Sequence, residues 1–295
     1  MNPTTATRTL APGTHTIDID GIRQRYHVAG TGPVCIAHSG GPGIGWEYLR
    51  MPAVEQHLTM VYVEPIGTGE SGRLPDPRDY TLDRYARLLH GLVEHLGQQR
   101  TIVLGHSHGG FVAQHYALAH PERLAGLILY DTSPATGPDF WPAALRNLEL
   151  FAQRHPARPE AQDIVMAFRE ISELDDDAGF TALLRRVFPA YFGDYWGRES
   201  ELEKLRAGLR CWIDPMHGEG PPFDVRDALG SIGIPTLIVV GRHDFICGPS
   251  WAQLLHRGIP GSRLITLRDS GHMGHLEQPE GFARAVADFT RALAT

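Results

Sequence analysis

In the first half of the chain, short runs of β-branched and other apolar residues alternate with stretches whose apolar side chains recur every three or four positions. Val34 to His38, Met60 to Glu64, Thr101 to Gly105 and Leu124 to Tyr130 read as strands. Thr81 to Leu96 reads as a helix that gathers Leu82, Tyr85, Leu88, Leu89, Leu92, Val93 and Leu96 on one face. This alternation is the signature of βα units on a mostly parallel sheet flanked by helices. It returns near the end, with strands at Thr236 to Val240 and Arg263 to Leu267 and a closing helix, Gly281 to Leu293, that turns Phe282, Val286 and Phe289 inward. Between the two parts lies Ser133 to Ser231, rich in Arg, Glu, Asp, Leu and aromatics and punctuated by Pro142, Pro156, Pro159, Pro189 and Pro215. It reads as several short helices, because a structureless connection of that length is out of keeping with a folded domain. The expected division is a core of residues 1–132 and 232–295, with residues 133–231 as an inserted helical cap. The acidic run Asp175, Asp176 and Asp177 reads as a solvated loop or a helix start.

Composition narrows the partners. Lys and Arg number 27 against 34 Asp and Glu, a formal charge of −7, which argues against nucleic acid or an anionic membrane as the main partner. At 42% hydrophobic and 21% charged, the chain has apolar material for a large core and too little net charge for disorder. Cys35, Cys211 and Cys247 form no C-x-x-C, so neither a disulfide framework nor a cysteine zinc site is expected. Met1 to Gly13 holds no apolar run of signal-peptide length, and no later stretch reaches the roughly 20 apolar residues of a membrane span. The expected location is the cytoplasm. The 16 histidines are scattered without an H-E-x-x-H, so neither a metal nor another cofactor is expected. The expected partner is a small-molecule substrate; the oligomeric state is open.

The chemistry concentrates in Gly105-His106-Ser107-His108-Gly109-Gly110, a G-x-S-x-G between the apolar Ile102-Val103-Leu104 and the helical Phe111-Val112-Ala113-Gln114-His115-Tyr116. Such a turn holds Ser107 strained and exposed at a helix N-terminus, and Gly105 and Gly109 clear the space where strand and helix pass. A serine hydroxyl needs a base that is itself held by a third group. Asp244, in Gly241-Arg242-His243-Asp244 after one strand, is the expected acid, and His272, in Ser270-Gly271-His272-Met273 after the next, the expected base. His275 competes for the base and Asp131, also just past a strand, for the acid. An oxyanion hole needs two backbone N–H groups. His108, following the nucleophile, supplies one, and Gly41 in His38-Ser39-Gly40-Gly41-Pro42-Gly43 the other, since the next residue is a proline without an N–H.

At these residues the chain resembles an α/β-hydrolase, and within that superfamily the proline iminopeptidase group, peptidase family S33. That group has an H-G-G-P-G loop, a G-x-S-x-G-G elbow, a helical cap and similarly spaced Asp and His residues. The resemblance implies an α/β-hydrolase fold and covers nearly the whole chain outside the cap. It departs at Ser39, which stands where the group has its histidine, at His108 in place of a frequent tryptophan, and at Glu64-Pro65-Ile66-Gly67-Thr68-Gly69-Glu70-Ser71. An aminopeptidase would also need cap carboxylates for the substrate amine, and Glu170, Glu173, Asp194, Glu199, Glu201 and Glu203 are available with none privileged.

The expected activity is that of a serine hydrolase cleaving an ester, lactone or amide of a small, partly apolar substrate through an acyl-enzyme. A proline iminopeptidase-like activity is the alternative. Carbon–carbon bond hydrolysis and cofactor-free oxygen chemistry use the same triad, and a catalytically silent small-molecule receptor is the alternative from another class. Among the cap aromatics, Trp141, Tyr195, Trp196 and Trp212 are the expected substrate contacts.

Overall fold

The strands are β1 (Gly13–Ile19), β2 (Ile22–Ala29), β3 (Val34–His38), β4 (Thr59–Glu64), β5 (Thr101–His106), β6 (Leu124–Tyr130), β7 (Thr236–Gly241) and β8 (Arg263–Leu267). The helices are α1 (Pro52–Glu55), α2 (Leu82–His95), α3 (His108–Ala119), α4 (Phe140–Arg154), α5 (Pro159–Arg169), α6 (Asp177–Val187), α7 (Glu199–Gly208), α8 (Pro249–Gly258), α9 (Gly274–Glu277) and α10 (Pro279–Leu293). The structure is a computed structural model and describes residues 9–213 and 221–293. Met1 to Arg8 and Pro215 lie outside them.

One sheet runs in the order β1-β2-β4-β3-β5-β6-β7-β8. From β4 to β8 every neighbouring pair is parallel, so the loops after β3, β5, β6, β7 and β8 collect at one edge. The six expected strands are present. Helix α2 buries Tyr85, Leu88, Leu89, Leu92 and Val93 as its periodicity predicts, and α10 buries Phe282, Val286 and Phe289. Strand alternation divides the core between the two sheet faces. Ile36 packs with Leu89, Leu92, Val112 and Tyr116, while Cys35 and Ala37 pack with Phe282 and Val286.

The hairpin β1–β2 adds two antiparallel strands that the apolar runs did not announce. Its turn is Asp20-Gly21, with φ of 55° and 76°, the sign pattern of the turn that suits a two-residue hairpin. The strands escaped notice because Gln24 occupies a buried position of β2, where its amide donates to the Glu64 carbonyl at 2.7 Å.

Helices α4 to α7 all lie between β6 and β7. They have a core of their own, including Leu148, Phe151, Ile164, Phe168, Leu184 and Val187, into which the loop after β7 inserts Phe245. Asp176 of the acidic run is the N-cap of α6, accepting from the Gly179 N–H at 2.7 Å. The stretch just after α7 lies on the loop after β3: the Trp212 N–H donates to the Gly43 carbonyl at 2.7 Å, and the Gly45 N–H to the Arg210 carbonyl at 3.3 Å. Among the described residues no helix is long and apolar enough to cross a membrane.

Candidate active site

Ser107 joins β5 to α3 at φ 54° and ψ −120°, a left-handed backbone that few non-glycine residues adopt. It is held there by its neighbours. The Ser107 N–H donates to the Tyr130 carbonyl at 3.0 Å, and its own carbonyl accepts from the Gly110 N–H at 2.8 Å and the Thr132 hydroxyl at 2.7 Å. The turn closes only with glycine at its flanks: a Cβ on Gly105 would lie 2.2 Å from the Gly109 carbonyl oxygen, and one on Gly109 would lie 2.2 Å from that of His38. Ser107 therefore stands at the N-terminal, positive end of α3.

His272, on the loop after β8, donates its Nδ1–H to Asp244 Oδ2 at 2.8 Å, with both side chains buried. The other Asp244 oxygen accepts the Ile246 and Cys247 N–H groups at 2.9 and 3.1 Å. The carboxylate is thus fixed by its own turn, and the imidazole presents Nε2 as the nitrogen able to take a proton. His275 faces elsewhere. Its Nε2 bonds the Tyr48 carbonyl at 2.8 Å and its Nδ1 the Tyr130 hydroxyl at 2.9 Å, and burial pushes it down to about 4. Asp131 closes β6 at φ 43°, and its Oδ1 accepts the Gly241 N–H at 2.8 Å.

The loop after β3 passes directly over the serine, since a Cβ on Gly40 would lie 2.9 Å from Ser107 Cβ. The Gly40 N–H is occupied by the Tyr48 hydroxyl at 2.6 Å. Gly41 follows at φ +125°, and its N–H has no partner among the described backbone hydrogen bonds. The His108 N–H is the first of α3 and has no intrahelical acceptor. Burial pushes the His108 ring down to about 3 and His38 to about 4, so both are neutral beside the loop.

A relay of hydrogen bonds ties these loops together behind the serine. Tyr48 accepts from Gly40 and donates to His106 Nδ1 at 2.7 Å, and His106 Nε2–H donates to the His272 carbonyl at 3.0 Å. His106, Asp131 and His272 are the one group among the described residues whose potential metal-ligating atoms converge, within 4.8 Å of one another. The two histidines are already engaged, His106 with Tyr48 and the His272 carbonyl, and His272 Nδ1 with Asp244.

The four expected substrate aromatics find other surroundings. Tyr195 is buried against Phe188, Phe192 and Trp196, and its hydroxyl accepts from Arg206. Trp196 stacks on Phe151 and bonds Glu160 through its indole N–H. Trp141 is 51% exposed and touches Phe140 and Phe168. Only Trp212 meets the site, through its backbone on Gly43. The insertion aromatic that reaches His272 is Tyr191, whose ring centre lies 5.5 Å from that of the imidazole. Cys247 is a neighbour that sequence reading missed, its thiol within hydrogen-bond reach of the Ser107 hydroxyl. Its signal was its place three residues after Asp244, where the carboxylate turn folds the chain back. Glu277 pins the base loop to the insertion, accepting N–H groups from Gly271 at 2.6 Å, Gly193 at 2.8 Å and Asp194 at 3.2 Å.

A sequence model of the family described as alpha/beta hydrolase fold matches residues 32–279. The chain is 25% identical, over 90% of its length and 86% of the relative, to a proline iminopeptidase of Saccharolobus solfataricus. It is 28% identical to a 2-hydroxy-6-oxononadienedioate/2-hydroxy-6-oxononatrienedioate hydrolase of Klebsiella pneumoniae, over 92% and 93% of the two chains. Among solved structures it is similar to a thermophilic esterase of Thermogutta terrifontis, with a TM-score of 0.68 and 26% identity over 95% and 97% of the chains.

Proposed function

Because the chain belongs to the α/β-hydrolase fold family, we propose that it is a serine hydrolase in which Ser107 attacks an ester, lactone or amide carbonyl of a small, partly apolar substrate. In this reading His272 takes the serine proton and returns it to the leaving group, while Asp244 orients the imidazole and stabilises its charged form. The Gly41 and His108 N–H groups receive the oxyanion. Water then attacks the acyl-enzyme, with His272 again as base, and releases the acid. The observation that carries the reading is the buried 2.8 Å bond between His272 Nδ1 and Asp244 beside a serine held at positive φ. We take residues 133–231 as a cap over the carboxyl edge of the sheet, and the cytoplasm, which would keep three free, buried cysteines reduced, as the place of action.

The resemblance to a proline iminopeptidase supports aminopeptidase activity as a second reading. Against it, two of the cap carboxylates available for a substrate amine are already paired, Glu170 with Arg186 and Glu201 with Arg198. The deciding experiment is labelling by a fluorophosphonate followed by a panel of p-nitrophenyl esters, lactones, proline anilides and a 2-hydroxy-6-oxo-dienoate. Rapid labelling of Ser107 with turnover in the first two classes supports the hydrolase reading. A chain that binds such compounds but is neither labelled nor active is a receptor.

A further inference from the structure

Behind the His272–Asp244 pair, the Asp131 carboxyl group enters the site from the end of β6. Its Oδ1 accepts the Gly241 N–H, but its Oδ2 is buried and receives no hydrogen bond. What Asp131 faces instead is a second carboxyl group: Asp244 stands within hydrogen-bonding reach of it. Two carboxylate anions in contact, one with an orphaned buried oxygen, would combine like-charge repulsion with an uncompensated desolvation cost. One proton removes both faults. Asp244 has no use for it, because both its oxygens already accept, from His272 and from two backbone N–H groups. Asp131 Oδ2 is the oxygen without a donor.

We infer that Asp131 stands as a neutral carboxylic acid whose Oδ2–H donates to the Asp244 carboxylate, making it a positioning residue for the triad. The inference rests on the reading of Asp244 and His272 as acid and base. Burial first, and then the neighbouring Asp244 charge, hold Asp131 well above the usual carboxylate range. The other groups around it agree with that state. Glu277 is acidic, burial holds the protons of Tyr130 and Cys247 in place, and His106 is kept neutral by burial and by His272 and His275.

The consequence is that the pair carries one proton and a single negative charge toward His272. A second full charge within 4.8 Å of the imidazole would move the acid limb of the rate profile up by about two to three pH units at an effective dielectric near 20. Sharing one proton between the two aspartates keeps His272 able to accept the serine proton.

Asp131→Asn tests this, since its amide offers the same N–H to Asp244 and the same carbonyl to Gly241. The expected result is kcat/KM within about threefold of wild type on an ester, with the acid limb unmoved. In Asp131→Ala, which lacks the donor, kcat/KM should fall about tenfold and the limb move to higher pH. A limb that moves down by about two to three pH units in Asp131→Asn overturns the inference, because a full charge would then have been removed. An infrared carboxylic-acid carbonyl band at pH 7.5, present in wild type and lost in Asp131→Asn, reads the proton without any activity. Its absence from wild type overturns the inference even if the alanine variant does not fold. Near-normal turnover in Asp244→Asn would instead remove the reading of the acid, and with it the positioning role, whatever the infrared band shows.

Discussion

His275→Gln separates the two histidines of the base loop by a measurement that does not depend on the substrate. In the protein, His275 Nε2–H donates to the Tyr48 carbonyl and Nδ1 accepts from the Tyr130 hydroxyl. Both nitrogens are committed to the neutral ring, and burial pushes the group down to about 4. The unfolded chain, near 6.5, therefore takes the proton first. The contribution of His275 to stability is complete above pH 6.5 and is lost as pH falls through that value toward about 4. At pH 5.5 about nine-tenths of unfolded chains and few folded ones carry this proton, so wild type loses about 1.3 kcal/mol between pH 7.5 and 5.5 through His275 alone. Glutamine cannot titrate and replaces only one of the two bonds, so the variant starts about 1–3 kcal/mol less stable at pH 7.5. The gap between the two proteins should narrow by about 1.3 kcal/mol on going to pH 5.5. Urea unfolding midpoints at pH 7.5, 6.5 and 5.5 measure it, and taking the difference cancels the contributions of His38, His106 and His108, which titrate in both proteins. A gap that stays constant or widens refutes the buried neutral state. A loss of kcat comparable to that of Ser107→Ala, in place of a fall of less than about tenfold, would make His275 the base.

Ser107→Ala should keep the unfolding midpoint and lower kcat by about 10³-fold or more, read on whichever ester the panel selects. Asp244→Asn should cost about 10³ to 10⁴ in kcat with the fold intact, because the amide neither stabilises the imidazolium nor enforces its tautomer. Gly109→Ala should fail to form the elbow, since its Cβ would lie 2.2 Å from the His38 carbonyl oxygen; loss of fluorophosphonate labelling together with a lowered melting temperature is the expected pair of results, and an active, stable variant would refute the packing argument.

The parallel part of the sheet was legible because β3 to β7 are covered on both faces and so appear as apolar runs, as in Ile102-Val103-Leu104. The β1–β2 hairpin followed a different grammar. Its strands alternate, Gln24 spends a buried position on a hydrogen bond to Glu64, and the usable signal was the Asp20-Gly21 turn. Ser107, Asp244 and His272 stood out because each lies on the connection that follows a strand of that parallel group, and parallel strands deliver their following loops to one edge. Asp131 satisfies the same rule, and sequence could not rank it against Asp244. The ranking comes from the orientation of two side chains, one bonded to His272 Nδ1 and the other to the Gly241 N–H.

The insertion was harder to read for a physical reason that also bears on specificity. A helical layer of this size must first build its own core, and large aromatics serve that end wherever they fall. Trp196 is spent in this way, stacked on Phe151, and Tyr195 is spent in the core against one face of the sheet. Contact with the triad is left to residues set by the connections between helices: Tyr191 over His272, and the backbone of Trp212 on Gly43. The same connections carry mechanical load. Glu277 joins Gly193 and Asp194 to the loop of His272, and the Arg210–Trp212 stretch lies along the loop of Gly41. A change in the insertion therefore moves the base and the oxyanion loop together with the roof of the site, so substitutions that reshape the substrate space there should alter kcat as well as KM.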